Sequence, residues 1–228
     1  MPKRDAFVST DQLPRGDAVL ERLGGVTAPK ELQSYVAVFE AIHTELANKQ
    51  EAVIAAKALR DEGIAAIVSA DRASDEAVLD LANALVGARL GNRKNPFRDF
   101  SEHTPAELNK LGYKAQIKAT RALAKKVDAK RPGKAVTDAT RRCTSNAAAQ
   151  EKAIVALAKP QAAYAKALAA RDALLPDWSL ALDRLRRKAT GAWAEDPEMV
   201  ETIFAEPSSM EAGRTKRPRK KSTEPRSE

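Results

Sequence analysis

Apolar side chains recur every seven residues along one early stretch of the chain. Further apolar residues stand between them, and the full series is Leu32, Tyr35, Phe39, Ile42, Leu46 and Val53. Spacings of three and four residues place side chains on one face of an α-helix, as in the seam between two packed helices. Proline is well tolerated in the first turn of a helix, and Pro29 precedes the series. The pattern predicts a long helix that begins near Pro29 and packs through this heptad seam (Leu32, Phe39, Leu46 and Val53).

Two interpretations of residues 28–90 are open. The Asp-Glu-Gly sequence that ends at Gly63 interrupts the apolar pattern and predicts a kink or a break, because glycine weakens a helix. A second apolar segment covers residues 64–90, and Asp71 or Ser74 is suited to cap a new helix inside it. The residues are compatible with one helix or with two.

The clearest break in the chain is at residues 91–97, where glycine, asparagine and proline cluster. We expect Phe97 and Phe100 to fold back and cover one end of a helical bundle. Thr104 then stands three residues before Glu107, with a proline at the first helical position between them, which is the strongest helix-start signal in the sequence.

The helix predicted after Thr104 begins its apolar face at Leu108 and Leu111. Gly112 interrupts this face, Ile117 is among the residues that continue it, and the sequence Arg-Pro-Gly at 131–133 ends it.

Residues 136–175 form the most alanine-rich segment, and its larger inward candidates are Cys143, Ala147, Ile154, Leu157, Tyr164 and Leu168. Pro160 lies inside this helical pattern and predicts a kink or a split, because its ring displaces a backbone hydrogen bond. A shorter helix is expected from Trp178 to about Thr190. Asp196 is suited to cap a final helical turn.

The predicted fold is all-α, since no alternating run is long enough for a strand. We expect an elongated antiparallel bundle of four or more helices, with short helices at both ends and a disordered basic C-terminal tail. The domain boundaries predicted from the sequence are an N-terminal arm at 1–27, a helical bundle at 28–205 and the tail at 206–228. Within the arm, Asp17 is suited to cap a short helix.

The composition of the chain indicates the cellular compartment in which this fold is expected. Only one cysteine is present, which suits a reducing compartment, and the first residues lack the apolar run of a secretory signal. No stretch approaches the roughly 18 apolar residues of a membrane span. We expect a cytoplasmic protein without a membrane partner. Alanine buries little area, so its helices must pack closely or associate with other chains.

The net charge of +8 is distributed unevenly. Residues 28–90 hold ten acids against six bases, whereas residues 114–142 hold ten bases against two acids. Lys114, Lys118, Arg121 and Lys125 follow one another at helical spacing and predict a continuous basic stripe. The stripe either pairs with an acidic helix or binds phosphates of a nucleic acid.

A second basic cluster lies in the tail, at Arg214, Lys216, Arg217, Arg219, Lys220 and Lys221. Such a cluster either neutralises phosphates without reading sequence or serves only to keep the chain soluble.

Candidate catalytic and metal-binding groups are scarce. Glu40 and His43 have the E-x-x-H spacing of carboxylate-bridged metal sites, but no second such pair occurs in the chain, and we place both at the solvent edge of the heptad seam. Cys143 follows two arginines yet has no sequence-local base, so we interpret it as a small buried residue.

An acidic cluster, Asp71, Asp75, Glu76 and Asp80, lacks the spacing of a calcium loop. It is interpreted as a solvated face or as partners for the basic helix. Trp178 and Trp193 bracket a basic amphipathic helix that resembles a membrane-surface helix in pattern, but packing on the bundle explains its apolar side more simply. We predict no catalytic residue, cofactor or metal.

Two functions follow as hypotheses. The first is a non-enzymatic helical scaffold or interaction protein that associates with itself, or with another helical protein, through the heptad seam and alanine-rich faces. The alternative is a sequence-independent nucleic-acid-binding protein that uses the stripe and the tail. Outward-facing bases throughout residues 114–142 would favour the alternative.

Overall fold

The structure is a computed structural model that describes the backbone of residues 5–206 and the side chains of residues 12–206. The described chain is all-α and contains no strand, which confirms the predicted fold class. Its helices are α1 (Asp5–Gly24), α2 (Lys30–Gly87), α3 (Pro105–Leu108), α4 (Tyr113–Asp128), α5 (Lys134–Asp172), α6 (Leu175–Ala192) and α7 (Pro197–Phe204). Among the helices within 5–206, none has a stretch long and apolar enough to cross a bilayer.

The chain divides into two compact units. The first unit comprises the chain up to Lys49 together with the chain from Asp172 onward, and the second unit comprises Gln50–Arg171. Helices α2 and α5 therefore contribute residues to both units. The division predicted at residues 27 and 28 does not coincide with a limit of either unit.

Within the second unit, α2 and α5 run antiparallel. Gly63 lies against Leu157, the Asp71 carboxylate accepts from Gln150, and Asp80 pairs with Arg142, so rising numbers on α2 meet falling numbers on α5. Helix α4 packs against the same pair of helices near residues 75 and 150. The antiparallel arrangement predicted from the sequence is confirmed here.

The core of the second unit lies where α2, α4 and α5 meet. Its larger buried side chains include Leu81, Leu85, Phe97, Phe100 and Leu123. The two phenylalanines come from the loop after α2 and pack into this core, as expected from the sequence.

The helix-start signal at Thr104 is confirmed in detail. Its hydroxyl accepts from the backbone N–H of Glu107, and the Glu107 carboxylate accepts from the backbone N–H of Thr104. The helix that begins here has only four residues, however, because α4 starts separately with Gly112 as its N-cap.

Of the two interpretations left open for residues 28–90, the structure contains the single helix, because residues 30–87 form α2 without a break at Gly63. Asp71 and Ser74 consequently lie inside α2 and begin no new helix. The glycine has a different purpose: a Cβ at Gly63 would lie 2.9 Å from the Leu157 side chain, so the missing methyl group lets α2 and α5 approach closely.

Pro160 does not split α5, which continues from Lys134 to Asp172. A proline inside a helix leaves the carbonyl four residues earlier without its donor. That residue is Ala156, which is exposed, so water can reach the carbonyl. The cost of the proline is reduced because this part of α5 faces solvent.

The first unit has its own core, formed by α1, the first part of α2, α6 and α7. Leu32, Phe39 and Leu46 of the heptad seam are buried in it. The segment expected as a loosely held arm differs from the expectation, since α1 covers most of it and places Val19 and Leu23 in the core. Leu32, Phe39 and Leu46 of the heptad seam are therefore covered by helices of the same chain.

Asp17 and His43 also differ from their predicted roles. Asp17 caps no helix but lies inside α1, where its carboxylate is 2.8 Å from Nε2 of His43. His43 is buried, not at the solvent edge, and its Nδ1 accepts a hydrogen bond of 3.1 Å from the Trp178 indole N–H. Glu40 is exposed, as expected.

The last two helices agree with the sequence-based prediction. Asp196 caps α7 by accepting from the backbone N–H of Met199. Trp178 is buried on α6, so this basic helix directs its apolar side into the core, as the packing interpretation predicts.

Candidate nucleic-acid interface

Helix α4 has one buried face and one basic face. Its buried residues are Gln116, Ile117, Thr120, Leu123, Ala124 and Val127. These positions recur at helical spacing, so the remaining positions of the helix point away from the core.

A network of two buried amides and two half-buried carboxylates holds α4 against α2 and α5. Gln116 donates to the Asp75 carboxylate over 2.7 Å. Gln150 donates to Asp71 over 2.7 Å and to the side-chain oxygen of Gln116 over 3.1 Å. The pKa of the Asp75 carboxyl is raised above its ordinary value. Burial is the main cause and the nearby charge of Asp71 adds to it, whereas the hydrogen bond from Gln116 acts in the opposite direction. Both glutamine side chains are fully buried, so the rotation of α4 about its axis is specified by polar contacts as well as by apolar ones.

The predicted basic stripe faces outward. Lys114, Lys118, Arg121 and Lys125 are all exposed. At 1.5 Å per residue they extend along about 16 Å of the helix. The three lysines form no ion pair within the described part of the chain.

Arg121 differs from the lysines of the stripe. It makes a hydrogen-bonded ion pair of 2.6 Å with Glu151 of α5. This pair lowers the pKa of the Glu151 carboxyl and raises the pKa of the Arg121 guanidinium. The sequence did not indicate it, because the two residues lie on different helices.

The basic surface continues beyond the stripe. Lys126, Lys130, Arg131 and Lys134 are exposed at the end of α4 and in the turn to α5. Arg131 has a φ of 49°, a left-handed conformation that ends the helical path. We define the basic face as the exposed bases of α4 and this turn: Lys114, Lys118, Arg121, Lys125, Lys126, Lys130, Arg131 and Lys134.

The two remaining bases of residues 114–142 lie on α5, and each has an acidic partner. Arg141 lies 3.7 Å from Asp138, and Arg142 lies 3.3 Å from Asp80 of α2. The acidic cluster of α2 thus contacts the basic segment through Asp80, while Asp71 and Asp75 bind amides. All ten bases of this segment are exposed.

Tyr113 is a further surface residue beside the basic face. It is the first residue of α4 and is 41 % exposed, next to Lys114. An exposed aromatic ring beside cations suits stacking on a nucleic-acid base. Sequence reasoning missed it because it precedes the stripe and lies outside the stripe's spacing.

The tail cluster cannot be placed in this geometry. Its six residues, Arg214, Lys216, Arg217, Arg219, Lys220 and Lys221, lie outside the described residues.

Other candidate chemistry is not assembled in the described chain. Both ring nitrogens of His43 are engaged by Asp17 and Trp178, so His43 is not free to join Glu40 in binding a metal. Within the described residues, no group of three or more metal-ligating side chains occurs. Cys143 is buried with its Sγ 3.0 Å from the Ala77 carbonyl, and burial raises the pKa of its thiol to about 12. Such a thiol is unsuited to nucleophilic chemistry at neutral pH.

Comparisons with known proteins find no match among family models, curated proteins or solved structures. What can be inferred about the role of the chain therefore comes from its contacts, burial and charge.

Proposed function

We propose that this chain is a non-enzymatic interaction protein whose basic face binds the phosphate backbone of nucleic acid without reading its sequence. The observation that carries the proposal is the outward orientation of every base in residues 114–142. Helix-pairing electrostatics would instead have placed most of these bases against acids of the same chain. The buried cysteine suits the reducing cytoplasm, where we propose the protein acts.

The dimensions of the basic face suit a phosphate backbone. Phosphates of one strand are spaced by about 3.4 Å, so the stripe matches roughly five of them. Lysine acts as a flexible point charge, and such contacts fix position without discriminating between bases. Binding through them releases counterions and is therefore sensitive to salt. The tail cluster would add further phosphate contacts of the same kind.

The test is fluorescence anisotropy of labelled random-sequence DNA, titrated with the full-length chain at low and near-physiological salt. We expect binding that weakens steeply with salt, and equal affinity for unrelated sequences. The variant Lys114→Gln, Lys118→Gln, Lys125→Gln should bind at least about 10-fold more weakly and reduce the salt slope by about 1 per lysine.

A matched control removes three charges elsewhere. Arg184, Arg186 and Arg187 are exposed on α6, and their replacement by glutamine changes the net charge equally. Affinity should remain near that of the parent chain. No binding at low salt, or an equal loss in both triple variants, would refute the assignment to the basic face.

A self-associating helical scaffold is the second candidate function. One observation favours it: a long stretch of the α2–α5 pair in the second unit contains no buried residue, and its flank carries exposed aliphatic side chains. Self-association through that stretch does not depend on nucleic-acid binding.

A further inference from the structure

His43 lies where three helices of the first unit meet. It belongs to α2, and its ring nitrogens are bound to Asp17 of α1 and to Trp178 of α6. Its ring stacks on Phe39, with the two ring centroids 5.8 Å apart. His43 and Trp178 are only 4 % and 2 % exposed. A histidine is therefore buried in an otherwise apolar core, and the proposed nucleic-acid binding makes no use of it.

The two hydrogen bonds determine the protonation state of the ring. An indole N–H can only donate, so Nδ1 of His43 carries a lone pair where it accepts from Trp178 over 3.1 Å. The proton of the neutral ring is consequently on Nε2, which donates to the Asp17 carboxylate over 2.8 Å. This geometry requires the neutral Nε2–H form of His43, with both nitrogens in use.

A second proton does not fit this arrangement. It would bind to Nδ1 and point at the indole N–H, so two donors would face each other and the buried indole would lose its acceptor. The ring cannot withdraw towards α1, because Gly16 lies so close to it that even a methyl group there would overlap the ring. Phe39 contacts both rings and limits their sideways movement. The protonated ring and Trp178 therefore cannot both keep their positions.

Asp17 responds to the same proton in the opposite way. Its carboxylate accepts from Nε2 in either protonation state, and the hydrogen bond becomes charge-assisted and stronger when the ring is an imidazolium. Since the Asp17 side chain is 74 % exposed, solvent moderates this gain. Protonation thus keeps His43 on α1 and separates it from α6.

Asp17 is the charged group that faces the ring. Within residues 12–206, no other carboxylate lies within 4.0 Å of the His43 nitrogens. Arg15 of α1 lies 3.9 Å from Glu206. The other charged residues within one turn of the contact, and those of α7 in the same core, are exposed: Glu21 on α1, Glu40 and Glu45 on α2, Asp177 on α6, and Glu198 and Glu201 on α7. The response of this contact to pH therefore depends on His43 and Asp17.

We propose that His43 is an acid-sensitive switch: when its ring takes up a second proton, Trp178 is released and α6 loosens from α1 and α2. Helix α1 stays bound through Asp17, so α6 is the element that moves. Histidine in its unperturbed state changes charge between pH 5 and 8, which defines the interval for the experiments.

The first test follows the two rings by NMR of the full-length chain labelled with 15N. At pH 7.5 we expect Nδ1 of His43 to carry no proton and the Trp178 indole to give a hydrogen-bonded signal, assigned by its loss in Trp178→Phe. At pH 5 both His43 nitrogens should be protonated, and the Trp178 indole signal should shift or broaden. A ring that stays neutral at pH 5, or an indole signal that does not change when the ring is protonated, would overturn the proposal.

The second test measures whether Trp178 becomes accessible. Trp193→Phe leaves Trp178 as the only tryptophan, so acrylamide quenching of the fluorescence reports its exposure. Between pH 7.5 and pH 5 the quenching constant should rise at least about 3-fold, as expected for local opening around a buried ring. Circular dichroism should show that the helices persist over the same interval.

The two histidines of the chain supply matched variants in the Trp193→Phe background. His43→Asn offers Trp178 a carbonyl oxygen in place of Nδ1 and takes up no proton in this interval, so its quenching should stay constant. His103→Asn removes the other histidine, which lies in the second unit before α3, and should respond like its parent.

Three outcomes would contradict the switch: no rise in quenching in the Trp193→Phe chain, an equal rise in His43→Asn, or a rise that coincides with loss of helicity. The NMR test uses the parent chain and remains decisive if His43→Asn fails to fold. None of these measurements involves DNA, so their outcome is independent of the proposed nucleic-acid binding.

Discussion

Two regions of α2 differ in what covers them. In the first unit, Leu32, Phe39 and Leu46 are buried beneath α1, α6 and α7. In the second unit, no residue of α2 between Val53 and Ile67 is buried. Large apolar side chains at every seventh residue form a continuous apolar face on which several helices pack. An alanine-rich stretch with scattered aliphatic residues offers less apolar area, and the helix stays half exposed. The comparison shows that helix formation and core formation are separate properties of this chain.

The largest expected effect comes from deleting an aromatic ring in the covered region. Phe39→Ala removes a fully buried ring that contacts His43 and Trp178, and should lower the free energy of unfolding by about 4 kcal/mol. Ile64→Ala in the uncovered region should cost about 1 kcal/mol or less, because Ile64 is 42 % exposed. Urea unfolding followed by circular dichroism measures both. Equal losses would contradict the difference between the regions.

Replacing a glycine by alanine should also change the free energy of unfolding differently in the two regions, by a smaller amount than the deletion of a ring. At Gly16 it would overlap the His43 ring, which hydrogen bonds to Asp17 and Trp178 hold in place. Gly16→Ala should therefore destabilise the chain by about 2 kcal/mol.

Gly63→Ala is the matched substitution in the uncovered region. The added methyl would meet the flexible end of the Leu157 side chain, and the gain in helix propensity offsets the adjustment. We expect a change within about 1 kcal/mol, measured by the same unfolding experiment. A stabilised Gly16→Ala chain would show that His43 is not held firmly.

A further difference between covered and exposed positions concerns the rate at which a thiol reacts, with the smallest expected effect on folding. Cys143 is buried among α2, α4 and α5, and its raised pKa of about 12 lowers the thiolate fraction. At pH 8 it should react with a chromogenic disulfide on the order of 1000-fold more slowly than in urea. A cysteine at the exposed position of Ala66→Cys should react at the rate of an unfolded thiol. Fast labelling of Cys143 in the folded chain would indicate that this core opens readily.

The same thiol has a consequence for stability at high pH. Its pKa in the folded chain lies above the ordinary value of 9.0, so the folded state binds the proton more tightly. This contribution to stability is present below about pH 9 and is lost as the pH rises towards 12. The difference in stability between the parent chain and Cys143→Ala should shrink over that interval.

Helical periodicity accounts for what the sequence predicted well. The heptad seam, the capping box at Thr104 and the basic stripe of α4 all depend on spacings of three to seven residues between successive members, and these residues lie on helices as predicted. The sequence left one helix or two open around Gly63, because a glycine that permits close packing looks the same in sequence as one that ends a helix.

The remaining misses involve partners far away in the chain. His43 was placed at the solvent edge because Asp17 and Trp178, which surround it, are distant in sequence. Arg121 was grouped with the lysines of its stripe because Glu151 lies on another helix. The use of the heptad seam within the chain could not be seen either, since a seam of this kind suits a second molecule equally well.

The buried amide network beneath α4 has one more consequence. Apolar cores tolerate a helix that slips by a turn or rotates, whereas Gln116 and Gln150 find partners in one arrangement only, with Asp75 and Asp71. The amides of Gln116 and Gln150 therefore fix the rotation of α4 about its axis, and with it the direction in which the lysines on the opposite side of the helix point. Replacing Gln116 and Gln150 with leucines would keep the core filled, but α4 could then rotate and its basic face would no longer point in one fixed direction.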